Sequence, residues 1–332
     1  LPICLLESDN STRFVQMDDG KFIALSENLK RQLNELKLLS DGDKIFNLGS
    51  SALEELVDEA SEAKVDKKWQ DHIKNIQQRT KFIPQLPSTL QAELRDYQVE
   101  GFNYLSRLTN WGIGACLADD MGLGKTLQVL AYIAATRKNG EKPDLVICPK
   151  TLTLTWMDEA RKYVPWLKTL VIEGTADIRT QALATTSDYD LVITTYPAVQ
   201  RDIQGYLDHK GFRLCIIDEA QFIKNSSTAT AKAVKAVPAE LHLALTGTPL
   251  ENGVHELWSI YDYLMPGFLG DSKSFRVRYE RPIKDKRDMQ TLERLRTRIK
   301  PFMLRRTKAA LLHDLPPKVE QVSHAVLTAE QL

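Results

Sequence analysis

The stretch Gly114–Thr126, GACLADDMGLGKT, decides the fold of this chain. It opens with Ala115–Ala118, a short apolar run that is typical of a buried strand, and its glycines Gly122 and Gly124 favour a tight turn. After Thr126, apolar residues recur at helical spacing, at positions 127, 130, 131 and 134. The stretch therefore predicts a strand, a glycine-bearing loop and the start of a helix.

This layout is typical of a phosphate-binding loop. Its glycines let backbone N–H groups turn toward a polyphosphate, and the N-terminus of the following helix adds positive partial charge. Lys125 is placed to reach the terminal phosphates, and the hydroxyl of Thr126 to bind Mg²⁺. The pattern departs from the usual one at Asp119, where a first glycine is expected. An ordinary strand-to-helix turn is the alternative that this departure leaves open.

The bulk composition is that of a globular protein, with 332 residues of which 43% are hydrophobic and 27% charged. This length favours one large α/β domain with an accessory region. No uncharged apolar run is long enough to span a membrane, so no membrane partner is predicted. The chain begins at Leu1, without methionine or a signal-like segment, and we expect it to be a fragment.

Cysteine and histidine usage favours neither a disulfide framework nor a metal centre. Three of the four cysteines, Cys116, Cys148 and Cys215, lie in apolar strand-like runs. We expect them to be reduced core residues of an intracellular protein. The sequence contains no C-x-x-C or H-x-x-H spacing of the kind that binds zinc.

The charges are balanced overall but unevenly distributed. The formal net charge is +0, whereas residues 273–308 contain 14 Lys and Arg against 4 Asp and Glu, a local excess of +10. A basic block of this size is typical of a phosphate-binding surface, and a solvated helical face is the alternative.

Residues 1–85 are predicted to form an accessory region without a chemical motif. The turn signal at residues 18–20 lies between the alternating runs RFVQM and KFIAL, which predicts a small hairpin. Helical patterns begin near Ser26 and near Ser50. Pro84 and Pro87 then mark a linker to the next domain.

Downstream of the loop, strand-like runs alternate with helical patterns. The runs lie at 145–148, 169–172, 191–194, 214–217 and 243–246. The alternation predicts an α/β fold, with a mainly parallel sheet and helices on both faces. Polar residues follow the strands, and the ligands of such sheets bind at the carboxyl ends of the strands. We therefore place the site at that edge.

Two adjacent carboxylates, Asp218 and Glu219, end one of these apolar strands. In a nucleotide site Asp218 would hold Mg²⁺ through water, and Glu219 would orient and deprotonate the attacking water. A plain strand-end turn is the alternative. Thr246-Gly247-Thr248, one strand onward, supplies hydroxyls that could couple the phosphate state to a neighbouring surface.

Taken together, several stretches resemble the first motor lobe of Swi/Snf-type ATPases, the double-stranded DNA translocases of helicase superfamily two. They cover about residues 90–320, in the order LRDYQVEG, LADDMGLGKTLQ, LVICPKTLTLTWMDEARKY, LVITTYP, IIDEAQFIKN, LALTGTPLENGVHELWSIYDYLMPGFLG and PFMLRRTKAALLHDLPPK. The resemblance implies a RecA-like P-loop lobe at 86–320, with a basic helical protrusion at about 265–308. Residues 321–332 would begin a linker to a second lobe. The segment DDGKFIAL resembles bacterial members, which indicates a bacterial source.

The resemblance also assigns site residues by position. Lys125, Asp218 and Glu219 are the predicted catalytic residues, ATP and Mg²⁺ are the predicted cofactors, and Thr126 and Asp218 are the predicted metal residues. Gln98 resembles the glutamine that reads adenine, and the full predicted nucleotide set is Arg95, Gln98, Asp119, Asp120, Met121, Gly122, Leu123, Gly124, Lys125 and Thr126. The predicted DNA-backbone set is Lys150, Thr151, Thr195, Tyr196 and Asn225. Asp119 is similar to the family's own variant of the first loop position.

The implied function is ATP-driven translocation on double-stranded DNA, in the cytoplasm of a bacterium or the nucleus of a eukaryote. The second RecA-like lobe of the parent chain would complete the ATP site with arginines, so we expect the fragment alone to hydrolyse ATP poorly. One alternative is an RNA helicase lobe, against which DEAQ and TGTP argue. The other is a nucleotide-dependent clamp without hydrolysis, against which the intact Lys125, Asp218 and Glu219 argue. For the basic block, contact with DNA or with the second lobe is favoured over mere solubility.

Overall fold

The computed structural model describes residues 14–16, 22–24, 40–41, 44–45, 82–247 and 253–311. In the N-terminal region, β1 (Phe14–Gln16) pairs antiparallel with β2 (Phe22–Ala24), and β3 (Ser40–Asp41) with β4 (Lys44–Ile45). The first pair is the hairpin that the sequence predicts around residues 18–20. The helices predicted from Ser26 and Ser50 lie outside the described residues, as does the predicted linker at 321–332.

A parallel sheet of seven strands forms the centre of the domain. Its strands are β5 (Ala115–Leu117), β6 (Asp144–Cys148), β7 (Thr169–Val171), β8 (Leu191–Thr195), β9 (Phe212–Asp218), β10 (Ala239–Leu245) and β11 (Met303–Leu304). They lie in the order β11-β5-β10-β9-β6-β8-β7, and every neighbouring pair is parallel. The predicted α/β fold is confirmed, and β11 is a strand that the sequence analysis did not predict.

Helices cover both faces of the sheet, which explains why its strands are almost continuously apolar. All five residues of β6 are buried. The helices between the strands are α1 (Asp96–Asn110), α2 (Lys125–Thr136), α3 (Thr153–Tyr163), α4 (Ala176–Ala184), α5 (Tyr196–Arg201), α6 (Ile203–Asp208), α7 (Ala229–Ala236) and α8 (Val254–Leu264). Among the described residues, no helix is both long and apolar enough to cross a lipid bilayer.

The sheet separates two hydrophobic cores. One core contains apolar residues of α1, α2 and α3, among them Phe102, Leu130 and Trp156. The other contains apolar residues of α5, α6 and α7, among them Tyr206 and Val234. The three cysteines predicted to be core residues are free and buried.

The basic protrusion is helical, as predicted. It consists of α9 (Ser272–Phe275), a π-helical turn (Arg276–Glu280), α10 (Arg281–Lys286) and α11 (Met289–Ile299), and β11 and a short helix α12 (Lys308–Leu311) follow it. Leu295 and Ile299 form the buried stripe of α11. Arg298, one of the charges of the basic block at 273–308, is buried, and its Nη2 donates to the Phe268 carbonyl at 2.7 Å.

The register of the sheet brings the carboxyl ends of the strands to one edge. Cys148 pairs with Thr195, Asp218 with Leu245, and Leu117 with both Leu245 and Leu304. The polar residues that follow these strands therefore lie along the same edge, as the sequence predicts.

Candidate nucleotide-binding site

The loop between β5 and α2 has the backbone conformation that a phosphate-binding loop needs. Gly122 and Gly124 have φ angles of 81° and 74°, in the left-handed region that favours glycine. A Cβ atom on Gly124 would lie 2.5 Å from Nε2 of Gln98, so a side chain there would displace Gln98. Gly124 directly precedes α2. The loop therefore ends at a helix N-terminus, where the free amides and the helix dipole favour an anion.

The ammonium group of Lys125 lies across the loop. Its Nζ donates to the carbonyl oxygens of Asp119 at 2.7 Å and Asp120 at 3.3 Å. Burial lowers the pKa of Lys125, and nearby carboxylates oppose the shift, Asp218 most strongly and Glu219 next. A cation held by two neutral carbonyl groups is well placed to exchange them for a phosphate, which carries full negative charge.

Gln98 lies against the loop, in the first turn of α1. Its Oε1 accepts from the backbone N–H of Arg95 at 3.0 Å, and its Nε2 donates to the carbonyl of Leu123 at 3.3 Å. Each end of the amide makes one hydrogen bond and has the capacity for a second. The predicted adenine contact is compatible with this arrangement and stays a prediction.

The position of Asp119 explains the departure from the usual loop pattern. Its buried carboxylate accepts from the backbone N–H of Arg306 at 3.1 Å and from Arg306 Nε at 2.9 Å, and a third bond comes from Arg306 Nη2. Glycine at this position would leave the guanidinium of Arg306 without its buried carboxylate partner. The carboxylate of Asp119 thus faces Arg306, and only its carbonyl oxygen faces the Lys125 ammonium. The place of Asp119 in the nucleotide set stays a prediction, and its backbone carbonyl is the group that contacts Lys125.

Asp218 ends β9 with its carboxylate between two neutral donors. Oδ2 accepts from Nε1 of Trp156 at 2.8 Å, and Oδ1 accepts from the Glu219 N–H at 2.9 Å. Burial raises the pKa of Asp218, and the Trp156 hydrogen bond opposes the shift. Each oxygen has a further lone pair for a metal-bound water. Together with the hydroxyl of Thr126 at the start of α2, this donor set fits Mg²⁺, which takes few carboxylates and keeps several waters.

Glu219 adopts a left-handed backbone conformation, with φ 56° and ψ 61°. Such a conformation is uncommon outside glycine and often marks functional sites. Oε2 of Glu219 accepts from Nε2 of Gln221 at 2.8 Å, and Oε1 of Gln221 accepts from the Thr246 hydroxyl at 3.4 Å. Gln221 therefore links the acidic pair to the end of β10. The sequence analysis did not include Gln221 among the site residues, although the DEAQ stretch contained the signal.

The predicted DNA residues differ in how accessible they are. Lys150, Thr151 and Asn225 are exposed, in the segments that follow β6 and β9. Thr195 is half-buried, and its hydroxyl caps α5 by accepting from the Ala198 N–H at 3.3 Å. These four residues keep their predicted role as a proposal.

The side chain of Tyr196 does not face outward, and the place of this residue in the predicted DNA-backbone set stays a prediction. The residue is 1% exposed. Its hydroxyl donates to the Asp218 carbonyl at 2.7 Å, and its ring stacks on Phe222 with a centroid distance of 4.8 Å. Tyr196 therefore supports the backbone of the acidic pair.

The sheet order, the glycine loop before α2 and the acidic pair at the end of β9 define a RecA-like P-loop domain. The chain belongs to the SNF2-related domain family, whose model matches residues 97–332. The predicted resemblance to the Swi/Snf family is thereby confirmed.

Known proteins agree with this assignment. The chain is 40% identical over 276 residues to the TATA-binding protein-associated factor MOT1 of Saccharomyces cerevisiae. The aligned region covers 76% of this chain and 15% of MOT1. It is 37% identical over 248 residues to the putative ATP-dependent helicase/translocase YwqA of Bacillus subtilis, covering 73% of this chain and 27% of YwqA. The chain thus spans far less than the length of either relative.

A solved structure shares the fold. The Sulfolobus solfataricus SWI2/SNF2 ATPase core in complex with dsDNA matches with a TM-score of 0.64 and 42% identity, over 71% of this chain and 49% of that one. The chain therefore spans about half of the solved core. Because the relatives include yeast and bacterial proteins, the bacterial source stays a prediction.

Proposed function

We propose that this chain is the first motor lobe of an ATP-dependent double-stranded DNA translocase. It would bind ATP with Mg²⁺ at the glycine loop and the DNA backbone along the same sheet edge, and hydrolyse ATP when paired with a second RecA-like lobe. The observation that carries the proposal is the register of β5, β10 and β9, which places the loop that bears Lys125 and the acidic pair Asp218 and Glu219 at the same carboxyl edge of the sheet.

Each residue of the site has a distinct part in this reaction. The loop amides and Lys125 would bind the phosphates, and Thr126 and Asp218 would hold Mg²⁺, which when bound neutralises the developing phosphate charge. Glu219, held by Gln221, would orient the attacking water and take its proton. The link from Gln221 to Thr246 gives the state of the acidic pair a route to the end of β10.

Support for the DNA part comes from the exposed residues of the edge and from the solved relative that holds dsDNA. Lys150, Thr151 and Asn225 carry groups that bind phosphate oxygens, and such contacts position a protein without reading sequence. Movement along DNA would follow from lobe closure on ATP and reopening after hydrolysis. The cellular compartment stays a prediction.

The ATP site is tested by measuring nucleotide affinity and turnover of the full-length protein and its Lys125→Ala variant. The matched control is Lys142→Ala, because Lys142 lies near the opposite edge of the sheet, where it pairs with Glu240 at 2.9 Å. We expect Lys125→Ala to lose at least about tenfold in ATP affinity and nearly all turnover, since one charge-assisted phosphate contact contributes roughly 1.5–3 kcal/mol. Equal losses in both variants, or none in either, would refute the assignment.

A further inference from the structure

A buried polar cluster joins the loop to α1, α2 and the segment after β11. It consists of Gly101, Asp119, Gln128 and Arg306, and we call it the Arg306 cluster. Asp119 and Gln128 are fully buried, and Arg306 is 9% exposed. Charged groups at this depth are costly unless each is paired and hydrogen-bonded, so a complete set of partners indicates a built arrangement.

Arg306 has such a set of partners. Its guanidinium donates to both carboxylate oxygens of Asp119, to Gln128 Oε1 at 2.8 Å, to the Tyr97 carbonyl and to Glu100 Oε2 at 3.2 Å. These bonds reach α1, the loop and α2 from a single side chain. The planar fork of an arginine suits this pattern, and the single ammonium of a lysine does not.

The backbone after β11 extends the contact along the first half of the loop. The Leu304 carbonyl accepts from the Ala118 N–H at 2.7 Å, and the Arg306 carbonyl accepts from the Asp120 N–H at 3.0 Å. The backbone N–H of Lys308 donates to Oδ2 of Asp120 at 3.0 Å. Residues 118–120 are therefore fixed by hydrogen bonds from residues 304–308, both to their backbone and to the aspartate side chains.

Gln128 connects Arg306 to the second half of the loop by hydrogen bonds. Its Nε2 lies 3.3 Å from the carbonyl oxygens of both Leu123 and Gly124. Because Arg306 is only a donor, Oε1 of Gln128 must face it and Nε2 must face the loop. Arg306 thus fixes the start of the loop through Asp119 and its end through Gln128.

Gly101 makes room for this cluster. A Cβ atom at this position would lie 1.7 Å from Gln128 Oε1 and 2.9 Å from Arg306 Nη2. Glycine inside a helix costs about 1 kcal/mol relative to alanine. At position 101 of α1 that cost is offset by a cluster that any larger residue would disrupt.

We propose that Arg306 is a positioning residue of the ATP site. Through Asp119 and Gln128 it holds loop residues 119–124 in the conformation that presents their amides to the phosphates. This inference rests on the proposed ATP function. The proposal also explains why an aspartate, Asp119, occupies the first position of the loop, because its carboxylate pairs with Arg306.

A matched variant separates positioning from general stability. Arg298 is also buried, at 6% exposure, and donates to the Phe268 carbonyl in the segment between α8 and α9. Replacing Arg298 with lysine disturbs a buried arginine that does not touch the loop. Arg306→Lys and Arg298→Lys in the full-length protein therefore form the test pair, with Asp119→Asn as a second probe of the cluster.

The experiment measures KM and kcat for ATP, together with hydrogen exchange of residues 119–126 without nucleotide, at a temperature where every variant is folded. We expect Arg306→Lys and Asp119→Asn to raise KM at least about tenfold and to accelerate loop exchange, while exchange in β6 and β8 is unchanged. Arg298→Lys should leave KM and loop exchange as in the parent. Unchanged loop exchange in Arg306→Lys, or an equal change in Arg298→Lys, overturns the inference. If the parent binds no ATP, the proposed function fails, and the loop exchange still decides whether Arg306 holds the loop.

Discussion

The edge of the sheet at the amino ends of the strands and the edge at their carboxyl ends differ in how buried charges are compensated. Near the amino edge, Asp144 at the start of β6 is fully buried and paired with Arg213, whose Nε donates to Oδ1 at 2.8 Å, and Arg137 lies 3.7 Å from Oδ2. At the carboxyl edge, the hydrogen bonds described for Asp218 come from the indole of Trp156 and a backbone amide, and those of Lys125 go to carbonyl oxygens.

The difference lies in what each edge leaves for a ligand. Burial raises the pKa of both carboxyl groups, that of Asp144 to about 6. Asp144 is compensated by two arginines of the same chain, so its charge serves the fold. The hydrogen bonds described for Asp218 come from neutral donors, so its negative charge can attract a cation. The same contrast separates the Arg306 cluster, in which charges are paired, from Lys125 beside it.

The largest expected effect concerns Glu219. In Glu219→Gln we expect turnover to fall by about 10²–10⁴-fold, the usual contribution of a general base. ATP affinity should stay close to that of the parent, because the carboxylate acts on water rather than on the nucleotide. Single-turnover hydrolysis and equilibrium ATP binding, measured side by side, check both parts. A variant that keeps its turnover would remove Glu219 from the reaction.

The reverse pattern is expected at the amino edge. Arg213→Ala leaves Asp144 buried with only the more distant Arg137, so we expect a loss of about 3–5 kcal/mol in the free energy of unfolding. ATP affinity of the folded variant should be unchanged. Urea unfolding is the measurement, with Arg296→Ala as the control, because Arg296 is exposed and its pair with Glu293 contributes at most about 1 kcal/mol. Equal losses in the two variants would contradict the contrast between the edges.

The pH dependence of stability gives a third test, which concerns His242 in β10. Burial lowers the pKa of His242 to about 4, and its ring lies edge-on to Tyr263 at 4.8 Å. Between pH 4 and the ordinary pKa of 6.5, the unfolded chain binds the proton more readily than the folded chain, so stability falls as the pH falls. The contribution of His242 alone to this loss is about 2 kcal/mol at pH 5 relative to pH 7.5. Urea unfolding of the parent and of His242→Gln, which lacks this titration, should differ in pH dependence by that amount, and parallel curves would exclude His242.

The smallest effect is expected for a single phosphate contact. Lys150→Ala should weaken double-stranded DNA binding a few-fold, and the slope of log affinity against log salt should shrink by about one unit. ATP affinity without DNA should not change. Lys142→Ala removes an exposed lysine near the opposite edge and should leave DNA affinity unaltered. If the two lysines behave alike, Lys150 does not contact DNA.

The sheet and the loop were predictable because burial on both faces imposes apolar runs and tight turns impose glycine. The run at 145–148, for example, is β6 less one residue. β11 was not predictable, because two residues carry no periodicity and its place depends on pairing with β5. At the site, the local pattern predicted roles for Asp218 and Glu219, at the end of β9, and for Lys125, at the start of α2.

Side-chain direction was the part that local sequence did not encode. Tyr196 follows a strand end like its predicted neighbours, yet packing on Phe222 turns it inward. Arg306 was counted as one charge in a basic block, although its partners lie 178–209 residues away. Only tertiary packing distinguishes these buried groups from the exposed charges around them.

The most direct test is ATP turnover of the full-length protein with no nucleic acid and with single-stranded DNA, double-stranded DNA or RNA of matched sequence. We expect the strongest stimulation with double-stranded DNA, and no stimulation in the Lys125→Ala variant. Strongest stimulation by RNA would make this an RNA helicase lobe. ATP and DNA binding with no turnover under any condition would make it a nucleotide-dependent clamp, and either result would contradict the translocase assignment.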